Sequence, residues 1–217
     1  MAIAVLILGE SSSGKSFSVR GFSPDEVGVF SVRKGTLPFP ESKDYGIKKH
    51  ATYQDIYRGL SNPGLKRYVI DDSQYLMVNE FFAKANDAGY QKYTAIGKNF
   101  ADLLQFISDK APDDVVVYLL HHTQETTTGK IKAKTVGQML DNYLTLEGCV
   151  DICLLAQTDG TNHYFLTQSD GTNTAKSPFG MFDLKIPNDL KAVDTAIREY
   201  YGLNETNKED TSNGKDK

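Results

Sequence analysis

The sequence predicts an α/β protein with a mainly parallel central sheet covered on both faces. Three observations carry this. Short apolar runs rich in Val, Ile and Leu recur along the 217 residues. Between them, apolar residues fall at helical spacing. Several runs end abruptly in small, acidic or histidine residues, as strands do where an open α/β sheet meets its ligand crevice.

The candidate strands are Ile3–Leu8, Val27–Val32, Arg67–Asp71, Val115–His121, Val150–Ala156 and His163–Thr167. Their near-continuous apolar character suits strands buried on both faces. Val78, Phe81, Phe82 and Ala85 make one helical face. Tyr93, Ile96, Phe100, Leu103, Leu104 and Ile107 make another, with a break at Ala88–Gly89. Asn188–Tyr201 reads as a closing helix whose apolar positions are Leu190, Val193, Ile197, Tyr200 and Tyr201. Asp159–Gly160 predicts a hairpin, so the final strand is expected to run antiparallel. No internal repeat is evident. From Asn204 the chain reads "NETNKEDTSNGKDK", with no apolar residue. This predicts one domain over 1–203 and a disordered polar tail over 204–217.

Composition narrows the class. Hydrophobic content of 40% and charged content of 24% are ordinary for a soluble globular chain. No apolar stretch approaches the length of a membrane span, and the first residues lack the basic region of a secretory signal. A cytoplasmic protein with no membrane partner is expected. Cys149 and Cys153 lie in or beside an apolar run and read as reduced core residues. The net charge of -4 repels phosphate overall, so any nucleic-acid contact needs locally concentrated basic residues.

The first strand runs into "GESSSGKS", Gly9 to Ser16, which fits G-x-x-x-x-G-K-[ST] without exception. Glycines at such positions let the backbone turn so that consecutive N–H groups face phosphate oxygens. A helix is expected to follow and to aim its positive end at the same charge. Gly9, Glu10, Ser11, Ser12, Ser13, Gly14, Lys15, Ser16 and Phe17 are the candidate nucleotide-binding residues. Lys15 is expected to reach the β- and γ-phosphates, and Ser16 to ligate Mg²⁺. The expected cofactors are ATP and Mg²⁺.

Such a loop needs a carboxylate for the metal. "RYVIDDSQYL" ends an apolar strand in Asp71–Asp72. Asp71 is the candidate metal residue, and Asp72 either polarises the attacking water or caps the next helix. "VVVYLLHHTQE" ends another strand in His121, His122, Thr123 and Gln124. His122 or Gln124 could contact the γ-phosphate. Alternation places His121 on the opposite face, where a hydrogen-bonded core histidine is the plainer role.

Lys130, Lys132 and Lys134 alternate in "TTTGKIKAKTVGQ", which predicts three lysines on one side of an extended segment. They could face a nucleic-acid backbone, the nucleotide of a neighbouring subunit, or only solvent. "VRKG" (Val32–Gly35) and "KKH" (Lys48–His50) are weaker basic spots.

The order "GESSSGKS", "YVIDDSQYL", "VVVYLLHHT", "GKIKAKTVGQMLDNYLTLEGCVDICLL" resembles the bacteriophage RecA-like P-loop ATPases, a group of phage nucleotide-binding proteins that includes single-strand annealing and recombination proteins. The resemblance runs from about Ile3 to Tyr201. It implies a P-loop NTPase fold, a RecA/AAA-like three-layer sandwich with a C-terminal β-hairpin. It further implies Mg²⁺-dependent ATP hydrolysis, assembly into a ring or filament, contact with single-stranded DNA, possible meeting with a single-strand DNA-binding protein, and a phage protein working in the bacterial host cytoplasm. The family pattern puts a catalytic Glu at the end of the second strand. This chain has Val32–Arg33–Lys34 there, which leaves Asp72 as the candidate; Glu41 is a distant substitute. No arginine stands out as an arginine finger, and a lysine between Lys130 and Lys134 could take that role in trans. Two other functions fit the motifs. One is a nucleotide-switched, helicase-loader-like module. The other is a small-molecule kinase, which needs an arginine-bearing lid, whereas Arg20, Arg33, Arg58, Arg67 and Arg198 are scattered.

Overall fold

The computed structural model describes residues 2–33, 35–137, 141 and 144–203. The tail expected over 204–217 lies outside them. The described residues form a mostly parallel mixed sheet with helices on both faces. The strands are β1 (Ile3–Gly9), β2 (Gly28–Ser31), β3 (Ile47–Lys49), β4 (Arg67–Asp71), β5 (Val116–Glu125), β6 (Ile131–Ala133), β7 (Ile152–Thr158), β8 (His163–Leu166) and β9 (Lys185–Pro187). The helices are α1 (Tyr53–Ser61), α2 (Gln74–Ala83), α3 (Gln91–Lys110) and α4 (Leu190–Tyr201).

The strand order is β3-β2-β4-β5-β1-β7-β8-β9, with β6 added to the end of β5. The six strands from β3 to β7 pair in parallel. β8 and β9 return antiparallel, as the Asp159–Gly160 turn predicts. β1 is therefore central, and β5 lies between it and β4. That order brings the ends of β1, β4 and β5 to one edge.

Alternation along β1 sorts the core into two layers. Ala4, Leu6 and Leu8 pack with Ile56 and Leu60 of α1, Leu76 and Met77 of α2, and Ile96, Phe100, Leu103 and Ile107 of α3. Ile3, Val5 and Ile7 pack on the other face with Val19, Phe22, Leu37 and Leu190, Val193 and Ile197 of α4. This is a three-layer α/β arrangement.

At the edge opposite the loop, α4 is fastened by charge. Asp194 is buried; its carboxylate accepts from Arg67 Nε at 2.6 Å, Arg198 Nε at 2.8 Å and the Tyr118 hydroxyl at 2.7 Å. Arg198 also donates to the Lys66 carbonyl at 2.9 Å. Burial and the neighbouring carboxylate push the Tyr118 hydroxyl well above its ordinary pKa, so it remains a donor.

Several expectations need correction. Ser16–Gly21 is a six-residue 3-10 turn, so no α-helix follows the glycine loop. Ser18 turns its hydroxyl back onto the Lys15 carbonyl at 2.6 Å, Gly21 has poor helix propensity, and Pro24 follows closely. α2 buries Gln74, Leu76 and Met77, while Phe82 is exposed, because the start of this helix and not its end meets the sheet. Tyr200 and Tyr201 are exposed, as is Cys149; Cys153 is the buried cysteine. α4 starts after Asn188, where the Asp189 carboxylate accepts from the Lys191 N–H at 2.9 Å as its N-cap. β5 runs on through the histidines because β6 supplies a partner, with Thr123 opposite Ala133. α1, β3, β6 and β9 were not foreseen as separate elements. For α1 a signal existed: Thr52 and Asp55 form a reciprocal capping box.

No described helix is long and apolar enough to cross a membrane.

Candidate functional site

β1 delivers its last residue, Gly9, beside β5 and β7, with Gly9 paired to His122. The chain then turns through Ser12 (φ 66°) and Gly14 (φ 96°) into Lys15, which has right-handed helical angles. A left-handed residue followed by a right-handed one makes a concave nest of N–H groups that suits an anion. Gly14 has no room for more: a Cβ there would lie 2.9 Å from His163 Nδ1 and 3.1 Å from Asn188 Nδ2. The buried Lys15 ammonium donates to the carbonyls of Gly9 and Glu10, each at 2.7 Å.

The second element arrives from β4. Asp71, buried at its end, accepts from the Ser16 hydroxyl at 2.7 Å across 55 residues of sequence. Asp72 follows with φ 59°, a left-handed conformation that short polar side chains tolerate better than others. The chain turns there into α2, fixed by the Ser73 N–H donating to the Leu120 carbonyl at 2.9 Å.

The third element is the end of β5. His122 Nε2 lies 3.3 Å from Asp72 Oδ1. The Tyr75 ring meets the His122 ring edge-on, with centroids 5.9 Å apart, and Arg33 lies over Tyr75 at 4.4 Å. His121 faces the core, as alternation requires. Its Nε2 is 2.8 Å from the Lys134 carbonyl, which can only accept, so Nε2 carries the hydrogen. Its Nδ1 then accepts from the Ser73 hydroxyl at 2.9 Å. Burial is the main cause that lowers the His121 pKa to about 4; His122 and Lys15 add to it, and the Lys134 carbonyl opposes it.

These three strand ends enclose a cleft of about 540 Å³, lined by the loop residues Ser11, Ser12, Gly14, Lys15, Ser16 and Phe17 and by Asp71, Asp72 and His122. It falls within the range of small-ligand sites. Of the foreseen loop residues, Gly9, Glu10 and Ser13 do not line it. Ser13 is buried beneath the loop, and its hydroxyl has no hydrogen-bond partner among the described residues. Gln124 turns away and donates to Asp141 at 2.7 Å. Glu41 is exposed in a short turn and does not line the cleft.

The three lysines are not equivalent. Lys130 and Lys134 are exposed, whereas Lys132 pairs with Asp141 at 3.0 Å. None of them lines the cleft. The hairpin is nevertheless tied to it, since the Lys134 N–H donates to the His122 carbonyl at 2.9 Å.

Four lining residues escaped sequence reasoning: Thr36, Leu37, Pro38 and His163. The first three follow β2, and only the strand order reveals that β2 ends near the loop. His163 opens β8, and its Nδ1 lies 3.1 Å from the Ser13 carbonyl.

The donor set fits a magnesium–triphosphate. Ser16 and Asp71 offer a hydroxyl and a carboxylate at one point, beside an ammonium and an N–H nest. Among the described residues, no three His, Cys, Asp or Glu side chains cluster to cage a metal. Mg²⁺ does not require such a cage, since it keeps waters and takes one or two protein oxygens with the phosphates. A comparison with protein-family models finds no match, and neither does a search of curated proteins.

Proposed function

We propose that this chain is a P-loop ATPase that binds and hydrolyses Mg–ATP in the cleft between β1, β4 and β5. The observation that carries the reading is the 2.7 Å hydrogen bond from Ser16 to Asp71. A loop serine and a strand-end aspartate, far apart in sequence, meet at the one place where this chemistry needs two oxygen ligands. Lys15 then exchanges its contacts with the Gly9 and Glu10 carbonyls for phosphate oxygens. Bound Mg²⁺ would supply charge neutralisation at the phosphates. Asp72 is the candidate group to orient the attacking water, and His122, whose Nε2 lies 3.3 Å from its Oδ1, would hold that carboxylate and contact the γ-phosphate.

The motif order that resembles the phage RecA-like ATPases extends this reading. In it the protein assembles into a ring or filament and acts in DNA recombination, annealing or replication through single-stranded DNA. Loss of the γ-phosphate contacts at Ser16, Asp71 and His122 would relax the subunit or DNA contact.

A switch without turnover, of the helicase-loader kind, is the second reading. It is favoured by the end of β2, which presents Arg33 where the family pattern has Glu. A small-molecule kinase is less well supported, because no arginine is among the described residues that line the cleft.

Phosphate release measured with and without oligo-dT, beside a sizing measurement with and without nucleotide, tests the proposal. Hydrolysis that is stimulated by the oligonucleotide and abolished by Lys15→Ala is the expected result. Tight binding with no turnover selects the switch, turnover indifferent to single-stranded DNA removes the DNA role, and label transfer to a nucleoside selects the kinase.

A further inference from the structure

A phosphate-binding loop must be held in shape before the ligand arrives, or ordering it subtracts from affinity. Here only a six-residue 3-10 turn follows the loop, and it is too short to anchor it alone. Besides the Ser16–Asp71 hydrogen bond, support comes from the C-terminal segment. His163, at the start of β8, holds the Ser13 carbonyl through Nδ1 at 3.1 Å. That carbonyl can only accept, so Nδ1 carries the hydrogen. Asn188, just after β9, is buried against Gly14. Arg20, in the turn, donates to the Asn188 carbonyl at 2.8 Å and to the Phe17 carbonyl at 3.0 Å, while its guanidinium lies 4.0 Å from the Phe17 ring centre. Residues 13, 14 and 20 are therefore all gripped by 163 and 188.

Asn188 Nδ2 and the Ser13 hydroxyl, both buried at this junction, have no hydrogen-bond partner among the described residues. The Asn188 amide is oriented by Arg20, which lies 3.5 Å from Oδ1 and so leaves Nδ2 toward Gly14.

We propose that the antiparallel pair β8–β9 splints the phosphate loop, with His163 and Asn188 as its positioning residues. This deepens the nucleotide reading and rests on it. The splint acts on the loop, so it governs affinity for the polyphosphate whatever base is attached.

The test measures binding of Mg–ATP and of Mg–tripolyphosphate, which has no base or ribose, by calorimetry. Wild-type protein and the Lys15→Ala variant first settle whether the cleft binds nucleotide at all. If the wild type binds neither ligand, the nucleotide reading fails, whatever the β8–β9 pair does. Given binding, His163→Ala should weaken both ligands in parallel by about 10-fold, as for one lost hydrogen bond, and Arg20→Ala, which removes the donor to the Asn188 carbonyl, should do the same. His163→Asn, which keeps a donor near Nδ1, should recover most of the loss. Melting without ligand verifies that each variant is folded. If His163→Ala is not, His163→Phe removes the donor while filling the space. Wild-type affinity for both ligands in the variants overturns the splint. So does a loss confined to ATP, because the β8–β9 pair would then be touching base or ribose.

Discussion

The Ser16 hydroxyl donates to Asp71 Oδ1 at 2.7 Å and joins the turn after β1 to the end of β4. If this is the metal position, the carboxylate's charge matters more than its shape. Asp71→Asn should keep the fold and lower Mg-dependent turnover on the order of 100-fold. Binding with and without EDTA should differ in the wild type and barely differ in the variant. A variant whose turnover and EDTA response match the wild type would move the metal elsewhere.

Tyr118 and Asp194 illustrate a different relationship, remote from the cleft. Removing the carboxylate takes the charged partner from the buried Arg198 and the half-buried Arg67. Asp194→Ala should lower stability by about 3–5 kcal/mol. Tyr118→Phe, which strands only Oδ1, should cost about 1–3 kcal/mol. Urea unfolding at neutral pH measures both. Equal losses would mean that the arginines do not depend on Asp194.

Acid should act through His121. Its folded pKa of about 4 lies below the ordinary value of 6.5, because burial disfavours the cation. Between those values the unfolded chain binds the extra proton, so stability rises with pH there. The contribution is intact above about pH 6.5 and shrinks as pH falls toward 4, with about 2 kcal/mol gone by pH 5. Urea midpoints at pH 7, 6 and 5 should fall more steeply for the wild type than for His121→Gln. Parallel curves would place the acid sensitivity in another group.

The sheet was legible because five of its strands, β1, β2, β4, β5 and β7, are buried on both faces over most of their length and read as apolar runs. The glycine-rich loop and Asp71 were legible because the first fits a short residue pattern without exception and the second ends an apolar strand. What stayed hidden depends on contacts that no local pattern carries. β6 and β9 are three-residue strands that exist only through their neighbours. His163 is one polar residue at the start of an ordinary strand, and it reaches the loop only because β8 runs antiparallel beside β7. The missing helix after the loop was misjudged for another reason. The loop motif implied a helix, while Ser18, Gly21 and Pro24 opposed one.

The lysine hairpin offers the last prediction. Lys130 and Lys134 are exposed, whereas Lys132 is held at 3.0 Å by Asp141, which also accepts from Gln124 and Thr135. If the hairpin touches a nucleic-acid backbone, only the two exposed ammonium groups release counterions without first breaking a protein contact. Lys130→Ala with Lys134→Ala should then reduce the slope of log affinity against log salt for oligo-dT by about 1.4, or 0.7 per phosphate contact on a single strand. Lys132→Ala should change that slope little and should instead loosen the Asp141 cluster, seen as faster amide exchange around Gln124 and Thr135. Fluorescence anisotropy across a salt series measures the slopes. A full loss from Lys132→Ala alone, or an unchanged slope in the double variant, would take Lys130 and Lys134 off the DNA surface.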